Sequence, residues 1–473
     1  MVFSSLLFVF VFLVLNLVIY FLVDKKYKNQ VLLIFSLIFY AWGGPRFLIL
    51  LVGETFISWF CGVRIQEGGN QRIRKMYMIL ECVLLLGLLG IFKYTVFLLG
   101  NLQALTGFPE SIPNIVLPIG ISFYTFQLLS YVIDVYRGEV HAQPKFWKLL
   151  LYSSLFHQCI AGPIVRYETV AEEIDVRKVS GTDVYVGVRR FCVGLAKKAI
   201  LANSCASAAD TLLQPGVEAL SAQSALGLWL GMLFYMLQIY LDFSAYSDMA
   251  IGMGRMVGFH YLENFNYPYM AGSVQDFWRR WHISLSTFFR DYVYIPLGGS
   301  RCDKWKIVRN MSVVWFLTGM WHGASWNYIF WGIYYLIFLL LERFVIQNRI
   351  PKGWNHVYTL LAVFFGWVIF RFEDLGELGT VLLGLFGIGT SGFAGLEVST
   401  VFMGNLFFLI FAVISVTSLG KNVRRFLFET GKTNEAVFMI FNVLELLTPP
   451  LLLILSVLSL IGASYNPFLY FQF

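Results

Sequence analysis

The sequence has few charged residues. Of its 473 residues, only 13% are Asp, Glu, Lys or Arg, 58% are hydrophobic, and the mean hydropathy is +0.69. A soluble globular domain usually carries about 25% charged residues. A water-soluble fold of this composition would expose far too much apolar surface, so the sequence predicts a protein that crosses a membrane several times.

Several motifs of soluble enzymes are also missing. The six cysteines show no C-x-x-C spacing and mostly lie in apolar runs, where cysteine acts as a small hydrophobe. No G-x-S-x-G elbow, Walker loop or H-E-x-x-H helix occurs. A disulfide framework, a metal site, and serine-hydrolase, ATPase or zinc-protease chemistry therefore have no support. The net charge of +7 comes from basic loops, which indicate orientation in a membrane and no nucleic-acid partner.

Long apolar runs without alternation predict an all-α bundle of transmembrane helices, since a span needs ~20 apolar residues. No internal repeat or soluble domain interrupts the chain, so residues 1–473 are expected to form one integral-membrane domain. Twelve runs are candidate spans: Val2–Val23, Val31–Trp42, Phe47–Val63, Met76–Leu99, Ile115–Tyr136, Phe191–Leu213, Ser224–Leu241, Val308–Trp321, Tyr328–Leu341, Val357–Phe370, Val401–Leu419 and Ala436–Leu460.

Two further segments predict other membrane helices. Phe146–Pro163 is apolar but lies between basic loops, so it predicts a re-entrant hairpin. Asp276–Pro296 is amphipathic and predicts a helix in the interface, with Asp276 and Arg280 paired one turn apart. Lys/Arg-rich loops such as Arg64–Lys75 are expected in the cytoplasm, which puts the N-terminus outside.

Two histidines are the leading candidates for chemistry. His322 lies between Trp321 and Gly323, and His282 follows Trp278, Arg279, Arg280 and Trp281. An imidazole can move a proton near neutral pH, and ionisable groups among membrane spans are functional candidates by default. The alternatives are a structural histidine between helices for His322 and an interfacial histidine in an aromatic belt for His282.

Other polar groups are candidates for a supporting role. Arg279 and Arg280 are suited to phosphate, with anionic lipid headgroups as the alternative. Asp242 and Asp248 are six residues apart beside an apolar run, where they could anchor the site, pair with arginines, or form the proton relay of a transporter.

Five segments together resemble the membrane-bound O-acyltransferase (MBOAT) family, in its bacterial alginate O-acetylation (AlgI-like) branch. They are Leu117–Gln127, Ala161–Tyr167, Asp242–Gly258, Asp276–Ser286 and Trp321–Trp326. The resemblance extends from near Trp42 to the C-terminal stretch Asn466–Phe471, which is nearly the whole chain.

The resemblance implies a helical bundle around a central tunnel in the bacterial inner membrane. It makes His322 the catalytic histidine and His282 the second characteristic histidine. It implies acetyl-CoA as the donor, no bound cofactor, and acetyl transfer to an extracytoplasmic SGNH-type partner that modifies a polysaccharide or cell-wall polymer. Trp278, Arg279, Arg280, Trp281, Trp321, Asp242, Asp248 and Ser325 are the expected supporting or substrate-binding residues.

The sequence departs from the branch at three places. His157 stands where proline is common, Ala245 replaces a frequent glycine, and Tyr335 replaces a frequent histidine. None of these positions is His282 or His322. Two alternatives stay open: D-alanyl transfer from a carrier protein to teichoic acid, and a lipid or polymer transporter, although transporters often contain internal repeats.

Overall fold

The computed structural model describes residues 1–159, 162–346 and 349–462, and within these ranges every regular element is helical. The α-helices are α1 Leu13–Leu22, α2 Lys28–Trp42, α3 Pro45–Glu67, α4 Gln71–Thr106, α5 Ile121–Arg137, α6 Phe146–Ser154, α7 Tyr167–Asp175, α8 Gly181–Ala196, α9 Asn203–Leu212, α10 Val217–Ala222, α11 Ala225–Met256, α12 Val274–Arg280, α13 Ile283–Phe289, α14 Lys304–His322, α15 Trp326–Leu341, α16 Lys352–Arg371, α17 Leu375–Gly384, α18 Leu396–Ser415, α19 Leu419–Gly431 and α20 Glu435–Ile461. The described residues also form four π-helical turns: Phe8–Phe12, Lys197–Ala202, Arg290–Tyr294 and Glu342–Ile346.

The all-α, multi-pass prediction is confirmed. Among the described residues, seven helices are long and apolar enough to cross a membrane: Pro45–Glu67, Gln71–Thr106, Ala225–Met256, Trp326–Ile346, Gly353–Arg371, Leu396–Ser415 and Glu435–Ile461.

Several of the twelve predicted spans form helices that are shorter or more polar than the seven membrane-crossing helices. The run Val31–Trp42 is the 15-residue α2. The run that begins at Ile115 becomes helical only at Ile121, because Pro118 and the left-handed Gly120 precede the helix. Helix α14 carries Lys304 and further basic residues in its first turns.

The chain forms two compact units. The first unit comprises Met1–Phe191 and Ser247–Glu263, and the second comprises Cys192–Tyr246 and the described residues from Asn264 onward. A single domain over the whole chain stays a prediction.

In the first unit, helices α3, α4 and α5 bury their polar side chains against one another. The Thr125 hydroxyl donates to Glu54 at 2.9 Å, and the Ser58 hydroxyl donates to Glu81 at 2.9 Å. Both carboxyl groups are 0% exposed. Polar groups inside spans are expected to face the protein interior and to be hydrogen-bonded, and these carboxyl groups follow that pattern.

In the second unit, the site depends on the close packing of α14 against α15. A Cβ added at Gly319 would lie 2.4 Å from the Tyr328 carbonyl oxygen, and one added at Gly332 would lie 2.5 Å from the Trp315 carbonyl oxygen. Only glycine at these facing positions lets the two backbones approach this closely. This contact fixes the end of α14, where His322 lies.

The predicted interfacial helix Asp276–Pro296 differs from the structure. It consists of two seven-residue helices, α12 and α13, followed by a π-helical turn, and it breaks at Trp281–His282. His282 has a left-handed backbone, with φ 43°, which ends the regular helical path. The Arg280 Nε–Asp276 Oδ2 pair, at 3.0 Å, is confirmed.

The segment predicted as re-entrant, Phe146–Pro163, contains the nine-residue α6, which is too short to span a bilayer. Ile160 and Ala161, which belong to this segment, lie outside the described residues, as does the stretch Asn466–Phe471.

We predict that Gly332→Ala destabilises the second unit by about 1–3 kcal/mol, because the new methyl group forces α14 and α15 apart. The measurement is thermal unfolding of the purified protein in detergent. Gly404→Ala in α18 is the matched control, since a Cβ there meets nothing within 4 Å. Equal unfolding temperatures for the two variants would contradict this account of the packing.

Candidate active site

His322 is the last residue of α14, and its side chain is buried in an aromatic pocket. It is 5% exposed. Its ring centroid lies 4.9 Å from that of Trp331 and 5.2 Å from that of Phe370. Gly323 follows at once, where a Cβ would lie 2.2 Å from the Tyr328 ring. The sequence Trp-His-Gly thus allows the helix to end against Tyr328 with the imidazole directed into protein.

His282 precedes α13 and is also buried, at 1% exposure. Its ring centroid lies 4.8 Å from that of Phe243 and 6.5 Å from that of Phe265. A left-handed backbone is unusual for a residue with a Cβ, and such strained conformations are concentrated at functional sites. The residue is therefore held in place by its surroundings.

Trp321 brings the two histidines together. The centroid of its indole lies 5.5 Å from the His282 ring and 5.0 Å from the His322 ring, with both contacts edge-to-face. Forty residues of sequence separate the imidazoles, yet one aromatic side chain contacts both. The structure thus places the two predicted catalytic residues and Trp321 in one cluster.

The surroundings of His282 favour the neutral imidazole. Burial lowers the pKa of His282 to about 3. Its Nδ1 lies 3.3 Å from Asn264 Oδ1 and 3.4 Å from Ser284 Oγ. Its Nε2 has no hydrogen-bond partner in the described part of the chain. A neutral ring with one buried, available nitrogen is suited to accepting a proton or a hydrogen bond.

The two predicted tryptophans Trp278, in α12, and Trp281, directly after it, both pack against other buried aromatic residues. Trp278 packs on Trp331 with centroids 5.3 Å apart, and Trp331 in turn contacts His322. Trp281 packs on Phe265 at 5.1 Å. Both are interior residues, so they do not form an aromatic belt that faces lipid.

The predicted arginines differ in exposure. Arg279 is exposed, whereas Arg280 is partly buried and bound to Asp276. Ser325 precedes α15 and is partly buried. A direct role of these three residues in substrate binding stays a prediction.

The two predicted aspartates have different partners. Asp242 is 1% exposed, and its Oδ1 lies 2.9 Å from the Nζ of Lys198, which is equally buried. Lys198 lies in a π-helical turn, an irregularity frequent at functional sites. Asp248 belongs to the first unit, where its Oδ1 lies 3.0 Å from Arg190 Nη2.

Sequence reasoning missed five contributors to the site: Lys198, Phe243, Asn264, Trp331 and Phe370. Lys198 lies in an apolar run, so an intramembrane cation was an available signal. The other four carried none, because their positions around the imidazoles depend on tertiary packing. His157, a departure from the branch, is buried in the first unit with its Nδ1 3.3 Å from the Tyr261 hydroxyl.

The fold and the site define the class of protein: it is an integral-membrane helical protein with two buried imidazoles that contact one indole. The model of the MBOAT, membrane-bound O-acyltransferase family, matches residues 139–375. The chain is 40% identical to the "Probable alginate O-acetylase AlgI" of Pseudomonas aeruginosa, over 87% of this chain and 82% of that protein.

Two further relatives carry other names. The peptidoglycan O-acetyltransferase of Helicobacter pylori is 33% identical, over 82% of this chain and 80% of its own length. The teichoic acid D-alanyltransferase of Bacillus subtilis is 28% identical, over 53% of this chain and 66% of its own length. The chain belongs to the membrane-bound O-acyltransferase family, and it is an O-acyltransferase.

We predict that the buried imidazole of His282 makes stability depend on pH. Its pKa falls from an ordinary 6.5 to about 3, so between these values the unfolded chain binds a proton that the folded protein does not. The contribution of His282 to the free energy of unfolding therefore decreases as the pH falls below about 6.5, by up to ~1.4 kcal/mol per pH unit. The measurement is the unfolding temperature in detergent at a series of pH values.

His282→Gln removes this contribution and should make the dependence shallower. Burial also lowers the pKa of His157 to about 3, so the contribution of His157 remains. His141→Gln removes an exposed imidazole and is the control that should keep the wild-type slope. Identical slopes for His282→Gln and the wild type would show that His282 is not held neutral by burial.

Proposed function

We propose that the protein moves an acetyl group from cytoplasmic acetyl-CoA through the membrane to an extracytoplasmic SGNH-type partner. The partner uses it for O-acetylation of an exported polysaccharide or a cell-wall polymer. The enzyme lies in the bacterial inner membrane as one integral-membrane domain over residues 1–473, with a central tunnel and no bound cofactor.

The contact of Trp321 with both His282 and His322 is the observation that carries this proposal. Two buried imidazoles beside one indole provide proton-transfer groups in a site with little water. Proton transfer by a positioned histidine contributes about 10²–10⁴-fold to a rate. Acyl transfer from a thioester to a hydroxyl requires one such transfer.

In the proposed reaction, the acceptor oxygen attacks the thioester carbonyl carbon. A carbon–oxygen bond forms, the carbon–sulfur bond breaks, and coenzyme A leaves as its thiol after receiving a proton. His322 takes the proton of the hydroxyl as general base or relays it, and His282 positions or polarises the thioester. Alignment of both reactants in a dry site supplies much of the remaining rate.

Supporting roles are proposed for the other predicted residues. Trp321 contacts both imidazoles, and Trp278 and Trp281 support the residues around them through Trp331 and Phe265. Arg279, which is exposed, and Arg280, which is paired with Asp276, are proposed to bind the phosphates of the donor, and Ser325 a polar group of a substrate. Asp242 is proposed to anchor Lys198 in the second unit, and Asp248 is proposed to anchor Arg190 in the first unit.

The relatives favour acetyl over D-alanyl transfer. The proteins named for O-acetylation match more than four-fifths of this chain at 33–40% identity, whereas the teichoic acid D-alanyltransferase matches about half at 28%. Membership in an O-acyltransferase family favours either enzyme over a lipid or polymer transporter.

We predict that His322→Ala lowers acetyl transfer at least 100-fold, because the hydroxyl proton loses its acceptor. The measurement is transfer of radiolabel from acetyl-CoA to a purified SGNH-type partner, with the protein reconstituted in vesicles. His141→Ala, which removes an exposed imidazole, is the control and should retain activity. Full activity of His322→Ala at an unchanged protein level would overturn the assignment.

The donor is tested separately by thermal stabilisation, since a ligand of the folded state raises its stability by mass action. Acetyl-CoA is expected to raise the unfolding temperature of the purified protein, and a D-alanyl-loaded carrier protein is expected to leave it unchanged. The reverse result would favour the D-alanyl alternative.

A further inference from the structure

We infer that Asn264 is a positioning residue that fixes the tautomer of His282 and thereby makes Nε2 a hydrogen-bond acceptor toward the substrate. The expected effect on kcat rests on the proposed function, because it assumes acetyl transfer at this site. Its structural part concerns only the hydrogen bonds among Asn264, His282 and Ser284.

The orientation of the Asn264 amide follows from the backbone of α13. The side-chain Oδ1 lies 3.1 Å from the Ser284 N–H, and the main-chain oxygen of Asn264 accepts the Ile283 N–H at 2.9 Å. A backbone N–H can only donate, so the amide atom that faces it is the oxygen. Asn264, which is 0% exposed, thus provides the cap of α13 that the His282 side chain does not provide.

The same oxygen determines where the proton of His282 lies. Asn264 Oδ1 is 3.3 Å from His282 Nδ1, and it also accepts the Ser284 hydroxyl at 2.9 Å. The Ser284 hydroxyl has thereby used its hydrogen, and its oxygen, 3.4 Å from Nδ1, acts there as an acceptor. Nδ1 faces two acceptors, so Nδ1 carries the hydrogen and Nε2 carries the lone pair.

Two roles were considered for His282, positioning the thioester and polarising it, and this tautomer is compatible only with positioning. A neutral ring with its hydrogen on Nδ1 cannot donate from Nε2 to a thioester carbonyl, so it does not polarise that carbonyl. Nε2 is buried without a partner in the described part of the chain, and it can accept from an O–H or N–H group of a substrate. His282 therefore positions a substrate that carries such a donor.

The side chains that contact the His282 ring carry no charge, so the hydrogen bond to Asn264 decides the protonation state of the ring. Ring contacts come from Phe243, Phe265 and Trp321, and polar contacts come from Asn264 and Ser284. None of these five side chains is titratable, and Trp321 also contacts His322. A charge introduced at position 264 would therefore act directly on His282.

The kinetic test compares Asn264→Ala with Asn264→Asp. Asn264→Ala removes the oxygen that selects the tautomer, and we expect kcat for acetyl transfer to fall about 10- to 100-fold, the range for a group that orients a site residue. Asn264→Asp keeps the acceptor and adds a charge that stabilises the imidazolium. It should restore most of kcat at high pH, with the acidic limb of the pH profile displaced to higher pH.

Asn310→Ala is the matched control, because Asn310 is a 0% exposed amide of the same unit that donates to the Gly299 carbonyl. It should lower the unfolding temperature as Asn264→Ala does, while the acidic limb keeps its position. A wild-type kcat in Asn264→Ala, or an unmoved limb in Asn264→Asp, would overturn the positioning role.

The tautomer itself is tested without turnover. Nitrogen-15 spectra of histidine-labelled protein, with the His282 signals assigned from their loss in His282→Gln, should show hydrogen on Nδ1 in the wild type and in Asn310→Ala. Asn264→Ala should show a mixture. Hydrogen on Nε2 in the wild type would overturn the inference even if acetyl transfer is confirmed, and a protein without transfer activity can still show the predicted tautomer.

Discussion

The edge-to-face packing of the Trp321 indole between two imidazoles is the contact on which the site depends. An indole is large and rigid, so it fixes the distance between His282 and His322 without any direct bond between them. It also excludes water from the space that it occupies. Both histidines consequently lie among aromatic rings, where a hydrogen bond is stronger than in water, and burial lowers the pKa of His282.

Glycine makes this arrangement possible at the backbone level. Gly319 and Gly332 bring α14 and α15 together, and Gly323 allows the chain to leave α14 directly against Tyr328. The close helix contact determines where the last residue of α14 lies, and the aromatic cluster determines its surroundings. The small residues at the helix interface and the large residues around the imidazoles therefore act together to position His322.

The sequence was sufficient for the helical class and the membrane character. The two histidines that it singled out both contact Trp321, and their catalytic role stays a prediction. Hydropathy shows which runs are apolar, but helix ends depend on local backbone chemistry, which is why α5 begins only after Gly120 and the predicted interfacial helix breaks at His282. The contacts of Asn264, Lys198 and Phe243 could not be predicted. They join segments distant in sequence, and no local pattern encodes which side chains then meet.

The buried charges illustrate why a membrane protein retains polar groups that stability alone does not favour. Replacing a buried ion pair with apolar residues is often neutral or stabilising, whereas removing one partner is strongly destabilising. Lys198 and Asp242 are each almost fully buried, and Asp242 immediately precedes Phe243, which packs on the His282 ring. The pair holds α11 to the π-helical turn at a defined register. A register fixed there also fixes Phe243, so the ion pair acts on the imidazole through packing, whereas Asn264 acts on it through a hydrogen bond.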